Sequence, residues 1–395
     1  MLWALVLEGG GAKGAYQVGA IKALKELGFE FGCVTGTSIG AVNGAMFAQG
    51  DFNNTYELWK NIEVAKVLDF EEKYVKNIYE LNLDKDTIKY LLKKIGQTIK
   101  EKGLDTSKMR DLVDRYVDEE KLRSSDIEFG FITVDLTHMK VLKLYKEDVP
   151  KGKICDYVMA SGMLPLFKNK EGSKDKFFDG GIYDNLPISM AVDKGYKKII
   201  AIRNRPNAKP KKIKDKNVEV TYIIPTTKPG GILNFTNDSV NSAINMGYLD
   251  TMRLFKKYLG NLYYIVDVDE IYAKTIVDNL PYTFFEKLAK ILSVNLNLDD
   301  NLKNMEFLTL ALEKEFNIKH KFEREVAFID ALIVSVEQIL NFSNVYRFKE
   351  YSLLNYFGLF ENIDCNLTLK NTKKKKPYKI ISVSIAELIM EYFRI

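Results

Sequence analysis

The sequence predicts an α/β domain built on a central, mostly parallel sheet, followed by a mainly helical C-terminal module. Three observations predict it. An unbroken apolar run at residues 2–7 stops at Glu8-Gly9-Gly10-Gly11, as a strand buried on both faces stops at a glycine turn. A helical stretch, a second short strand at 31–35, the turn Gly36-Thr37-Ser38-Ile39-Gly40 and a second helix follow. This alternation is the opening of a parallel sheet with right-handed crossovers. After about Asp267 glycine nearly vanishes, leaving only Gly358, and helical patterning dominates residues 281–340. The expected domains are therefore 1–267 and 268–395.

The elements follow in order. Residues 15–27 carry Val18, Ile21 and Leu24 at helical spacing, and Gly28 supplies the stop. The second helix covers 39–48, and residues 52–122 read as helical and highly charged. Two apolar stretches, 129–133 and 141–145, flank Asp135-Leu136-Thr137-His138 as a hairpin. Strands are expected at 198–203 and 220–224, with a basic, proline-containing loop at 204–216 between them. Residues 240–258 are helical again. In the tail, four lysines at 373–376 precede an apolar helix at 380–393, whose polar stripe is Ser384, Glu387, Glu391 and Arg394.

Composition excludes several classes. With 58 basic and 53 acidic residues the net charge is only +5, and no basic stripe of a nucleic-acid binder is present. Cys33, Cys155 and Cys365 form no CxxC pair, so neither a metal site nor a disulfide framework is expected, and a reducing compartment fits. The first residues lack a basic n-region and do not read as a signal peptide. The longest uncharged stretch, 31–50, is rich in Gly, Asn, Ser and Thr and reads as a buried strand-turn-helix rather than a membrane span. The expectation is a cytoplasmic protein with one candidate peripheral membrane contact at 373–393.

The chemistry centres on Ser38. A serine between glycines, on a sharp strand-to-helix turn, projects its hydroxyl at the sheet edge, and the next helix N-terminus favours a developing oxyanion. Gly9 to Gly14 also fit GxGxxG, with Glu30 downstream, so a dinucleotide fingerprint is the rival reading. In that fold the acid ends the second strand, whereas Glu30 precedes it and the Ser38 turn would have no role. An oxyanion cradle with amides of Gly10 and Gly11 accounts for both turns. A serine nucleophile needs a base. His138 lies in a hairpin turn and His320 in the helical module, neither at the end of a parallel strand. A carboxylate is the alternative, and Asp179, followed by Gly180 and Gly181, is the candidate; an ordinary Asp-Gly turn is the plain alternative for that motif.

Together, residues 9–14, 36–40 and 179–181 resemble the patatin-like phospholipase family in order and approximate spacing. Ala160-Ser161-Gly162-Met163-Leu164-Pro165-Leu166-Phe167, the stretch Asp179 to Pro187 and Gly247-Tyr248-Leu249-Asp250 are similar to further motifs of that family. The resemblance covers residues 2–253. It implies a three-layer patatin-like fold and hydrolysis of acyl esters of phospholipids or other glycerolipids through an acyl-enzyme, with no metal or other cofactor. It implies Ser38 as nucleophile and Asp179 as base. Gly10, Gly11 and the N–H of Ile39 become the oxyanion hole, and Asn185 and Pro187 shape the aspartate loop. Lys13 stands where many members carry arginine, a point charge in place of a planar fork. Residues 272–395 match no family element. An acyltransferase with the same dyad and a non-catalytic lipid-surface module remain the alternatives. Headgroup, chain length and oligomeric state are not encoded legibly.

Overall fold

The computed structural model describes residues 2–62, 107–135, 138, 140–162, 177–179, 181–206, 213, 215–296, 300–319, 322–363 and 380–393. Several expected features lie outside them: the charged helical stretch at 63–106, residues 163–167, Gly180, most of the basic loop at 207–214, His320, Cys365 and the lysines at 373–376. The chain divides into two compact units, Met1–Thr251 and Met252–Ile395, a division earlier in the chain than Asp267.

The first unit is an α/β domain on one sheet. Its strands are β1 (Trp3–Leu7), β2 (Phe31–Thr37), β3 (Glu128–Asp135), β4 (Lys140–Tyr145), β5 (Phe177–Asp179), β6 (Lys198–Ile202) and β7 (Glu219–Ile223). The order is β4-β3-β2-β1-β6-β7, with β5 also on β3. Contacts from β3 through β7 are parallel, and β4 and β5 run antiparallel to β3. β1 sits centrally, and Ala4 to Leu7 have no exposed surface, which explains its unbroken apolar run. The helices α1 (Gly14–Glu26), α2 (Ile39–Ala48) and α3 (Phe52–Lys60) follow β1 and β2. α2 is buried on nearly every side, and its small residues Ala41, Gly44, Ala45 and Ala48 let it lie close on the sheet.

β3 has two edges and three neighbours. β4 occupies one edge along Gly130–Asp135. β2 occupies the other only as far as the Thr37–Ile132 pair. β5 then takes up the edge that β2 leaves, pairing Thr133 with Asp179. A three-residue strand carries no readable periodicity, and the sequence reading has no strand there.

The late Gly247-Tyr248-Leu249-Asp250 motif also has a packing role. A Cβ at Gly247 would fall 1.9 Å from the Tyr16 carbonyl, so the helix Asn237–Lys256 lies backbone to backbone on α1. Asp250 accepts the Tyr16 hydroxyl at 3.1 Å and the Thr226 N–H at 3.1 Å.

The second unit is mainly helical, but it also holds a parallel pair, β8 (Tyr264–Val266) and β9 (Glu350–Ser352). Its core gathers Phe284, Phe285, Leu308, Phe328, Ile339, Tyr356 and Ile389. The helix Ile380–Tyr392 commits Val383, Ile385, Ala386, Leu388 and Ile389 to this core, so its apolar face is already covered by protein. Among the described residues no helix is long and apolar enough to cross a membrane.

Candidate active site

Ser38 joins β2 to α2 with φ 56° and ψ −127°, a conformation that L-residues rarely adopt and that costs about 1–3 kcal/mol. The surroundings hold it there. A Cβ at Gly36 would meet the Gly40 carbonyl at 2.2 Å, and one at Gly40 would meet the Leu7 carbonyl at 2.4 Å, so both glycines of the motif are sterically required. The Ser38 carbonyl accepts the N–H groups of Ala41 at 2.8 Å and Val42 at 3.3 Å and so starts α2. The Ser38 N–H donates to Ser161 Oγ at 2.9 Å. Ser38 is only 9% exposed, at the carboxyl edge of the parallel strands.

The glycine loop lies beside this turn. Gly9 donates its N–H to the Asn185 carbonyl at 3.0 Å, and Asn185 Nδ2 returns a bond to the Gly9 carbonyl at 3.2 Å. A Cβ on Gly9 would fall 3.2 Å from Ser38 Cβ. Ala12 donates to the Ile232 carbonyl at 2.7 Å. Between these two anchored amides, the N–H groups of Gly10 and Gly11 donate to no described residue. Gly14 opens α1, and a Cβ there would meet Ile39 Cγ1 at 2.6 Å, so the loop is pressed onto the first residue of α2.

The segment after β5 is fastened to β2. Thr37 Oγ1 donates to the Asp184 carbonyl at 2.9 Å, and Thr35 Oγ1 donates to the Pro187 carbonyl at 3.1 Å. Gly181 begins the short helix Gly181–Asp184, and Pro187 precedes the helix Ile188–Asp193. Asp179 is the last residue of β5, opposite Thr133. Since Ile132 pairs with Thr37, the backbones of Asp179 and Ser38 follow one another along the same edge of β3.

Sequence reasoning missed a buried ionic cluster beneath the loop. Glu8 has no exposed surface, and its carboxylate accepts the Asn204 N–H at 2.6 Å, Arg203 Nη2 at 3.1 Å and Arg205 Nη2 at 2.7 Å. Asn204 Nδ2 donates to the Glu8 carbonyl at 2.8 Å and more distantly to that of Gly9 at 3.3 Å. Burial pushes Glu8 up, but the Asn204 N–H and the two guanidiniums outweigh it and hold the carboxyl below its ordinary value. β1 and β6 are neighbours, so residues just past their ends meet, a pairing that the sequence reading did not contain. Lys13 feels the same cluster. Partial burial, then the Arg205 charge, lower its ammonium pKa, with Glu8 opposing and Lys228 adding to the effect.

Among the described residues, the cysteines and the histidine are placed poorly for this chemistry. Burial pushes the Cys33 thiol up to about 12 and the Cys155 thiol up to about 11. His138 stands on the exposed β3–β4 turn, with Nδ1 2.7 Å from Asp135 Oδ2. Ser161, inside a stretch singled out by the sequence, has a contact to Ser38 that no periodicity could reveal.

Known proteins are similar to this chain. The sequence model described as Patatin-like phospholipase covers residues 5–192. Patatin-like phospholipase domain-containing protein 7 of Rattus norvegicus is 31% identical over 204 residues, which are 50% of this chain and 13% of that protein. Lysophospholipase nte1 of Aspergillus terreus is 60% identical over 45 residues, 11% of this chain and 3% of that one. The chain thus spans about an eighth of the length of the first of these relatives. The crystal structure of VipD from Legionella pneumophila is similar at a TM-score of 0.43 and 15% identity, over 99% of this chain and 91% of that chain. Over its residues 5–192, the chain matches the patatin-like phospholipase family.

Proposed function

We propose that the protein is a serine hydrolase of lipid acyl esters, of phospholipase A or lysophospholipase type, working through Ser38 and Asp179. The observation that carries the reading is the strained Ser38 turn, with the Asp179 backbone next along the same edge of β3. In this reading Ser38 Oγ attacks the ester carbonyl carbon while its proton passes to the Asp179 carboxylate. Amides of Gly10, Gly11 and Ile39 hold the oxyanion. Collapse of the tetrahedral intermediate expels the alcohol, which takes the proton from Asp179. Asp179 then draws a proton from water, whose oxygen attacks the acyl-enzyme; the fatty acid leaves and the proton returns to Ser38. Preorganised backbone donors of this kind contribute about 3–4 kcal/mol each to such a transition state. The family's name and the lysophospholipase among the relatives support a lipid ester as the substrate class.

The test is hydrolysis of a medium-chain p-nitrophenyl ester by wild type, Ser38→Ala and Asp179→Asn, with fluorophosphonate labelling alongside. Turnover and labelling in wild type, both lost in Ser38→Ala, with turnover lost in Asp179→Asn, establish the dyad. Labelling without turnover moves the reading to acyl transfer, and a folded wild type that does not label refutes it.

A further inference from the structure

Beyond the dyad, we infer that Ser161 is a positioning residue for the nucleophile, its hydroxyl splicing the Ser38 turn to β3 where the β2–β3 ladder ends. The ladder's last pair is Thr37–Ile132. One residue later Ser38 takes a positive φ, which turns the chain beyond its amide out of the strand direction, and the Ser38 N–H bonds to a side chain instead of to β3. Ser161, the final residue of the helix Ile154–Ser161, stands at this gap. Its Oγ accepts the Ser38 N–H at 2.9 Å and donates its own proton to the Ile132 carbonyl at 2.7 Å. One hydroxyl group therefore replaces a strand-to-strand bond that the turn has broken.

The arrangement is closed and specific. Ser161 has no exposed surface, so water cannot substitute for the hydroxyl. Without it, the Ser38 amide would be left buried with no acceptor, and the turn would relax toward a conformation that finds one. The bond also ties Ser38 to the residue before Thr133, the partner of Asp179. Ser161 thereby sets the spacing between the nucleophile turn and the strand edge on which Asp179 lies. A misplacement of about 1 Å in such a pair costs about 100-fold in rate. The inference rests on the Ser38–Asp179 reading, and its effect belongs in kcat rather than in substrate binding.

The experiment compares the full-length wild type with Ser38→Ala, Ser161→Ala, Ser161→Thr and Ser161→Cys. It measures kcat and KM on the p-nitrophenyl ester, the second-order rate of fluorophosphonate labelling and the thermal melt. Ser161→Ala is expected to lower kcat and the labelling rate by about 10- to 100-fold with KM within about twofold. Ser161→Thr, which keeps the hydroxyl, is expected to recover most of both. Ser161→Cys keeps the volume with a weak donor and should fall between; it decides the question if the alanine variant does not fold. A folded Ser161→Ala or Ser161→Cys protein that labels and turns over at the wild-type rate overturns the inference. So does a Ser161→Ala loss that appears in KM alone. Wild type that labels and Ser38→Ala that does not keep the dyad reading intact in that event, whereas an unlabelled wild type would be the failure of the dyad reading itself.

Discussion

A side chain grown from Gly162 would begin 3.9 Å from the Ser38 hydroxyl oxygen and 3.6 Å from the Met159 carbonyl. Gly162 has φ −99° and ψ 5°, which any L-residue adopts, so the glycine is there for space and not for backbone freedom. Gly162→Ala should therefore leave ester hydrolysis nearly unchanged. Gly162→Leu should fill the approach to Ser38 and lower kcat/KM by about 100-fold, with little change in the melt. Steady-state kinetics on short and medium-chain p-nitrophenyl esters checks this. A leucine variant as active as wild type would mean that the acyl group enters from another side.

The Glu8 cluster yields a prediction that separates buried from exposed partners. Arg203 is 5% exposed and Arg205 58% exposed, yet both reach the same carboxylate oxygen. Removing Glu8 takes the carboxylate from a buried guanidinium, so Glu8→Ala should cost about 3–5 kcal/mol, whereas Arg205→Ala should cost less than about 1 kcal/mol. The folded carboxyl lies below its ordinary 4.5, so its contribution is present above that pH and is lost as pH falls through the lower, folded value. Urea denaturation at pH 7 and at pH 4 should show wild type weakening on the acid side and a shallower dependence in Glu8→Gln. Because Asn204 holds the Glu8 and Gly9 carbonyls, the same variants should also lower kcat as the glycine loop loosens.

What was legible in the sequence was whatever a short local pattern encodes. The β1 run, the glycine stretch after it and the strand-to-helix change at Ser38 are each set within a few residues, and the structure has strand, turn and helix at those places. The hairpin of β3 and β4 was legible for the same reason: apolar runs flank a polar turn. Hidden features depend on residues far apart in the chain. β5 has three residues and is defined by its partner, Thr133, and not by its own pattern. Ser161 meets Ser38 across more than a hundred residues, and Glu8 meets Arg203 across nearly two hundred. Polar side chains buried by tertiary contact look like loop residues until the strands are put side by side. The tail helix illustrates the reverse problem, since an apolar face reads alike whether lipid or protein covers it, and here Ile385 and Ile389 lie in a protein core.

Glu337 should make the second unit sensitive to pH. It is buried in the helix Arg324–Phe342, and its Oε1 accepts the N–H groups of Asn261, Leu262 and Tyr263 at 2.8–2.9 Å. Arg253 bonds to the carbonyls of Asn261 and Tyr263 in the same turn, and Asp330 accepts the Gly260 N–H at 2.7 Å. Burial pushes the Glu337 carboxyl up to about 7 from 4.5, against the pull of the Tyr263 and Leu262 N–H groups and of Arg253, while Asp330 adds to the rise. With the folded value above the unfolded one, the folded state binds the extra proton between these values. Its stabilisation is full below about 4.5 and is lost as pH rises through about 7, a change on the order of 3 kcal/mol. Denaturation midpoints at pH 5 and pH 8 should therefore favour pH 5 for this unit, and Glu337→Gln should flatten the difference. Equal slopes in the two proteins would assign the pH dependence to other groups.

Two glycine substitutions should separate a required turn from an ordinary one. At Gly40 a methyl group would fall 2.4 Å from the Leu7 carbonyl and 2.9 Å from its carbon, and neither belongs to a side chain that can swing away. β1 would have to move from α2, and with it the glycine loop that leaves β1. Gly50 has φ +87° with nothing within 4 Å of a methyl group, so alanine there meets only the backbone preference, worth about 1–2 kcal/mol. Gly40→Ala should lower kcat by at least about 100-fold and depress the melt. Gly50→Ala should depress the melt modestly and leave kcat as it was. Fluorophosphonate labelling at a temperature well below both melts is the deciding measurement, because on the proposed mechanism it reads Ser38. Normal labelling in Gly40→Ala would mean that the turn accommodates the methyl group and that the contact between α2 and β1 does not set the geometry of Ser38.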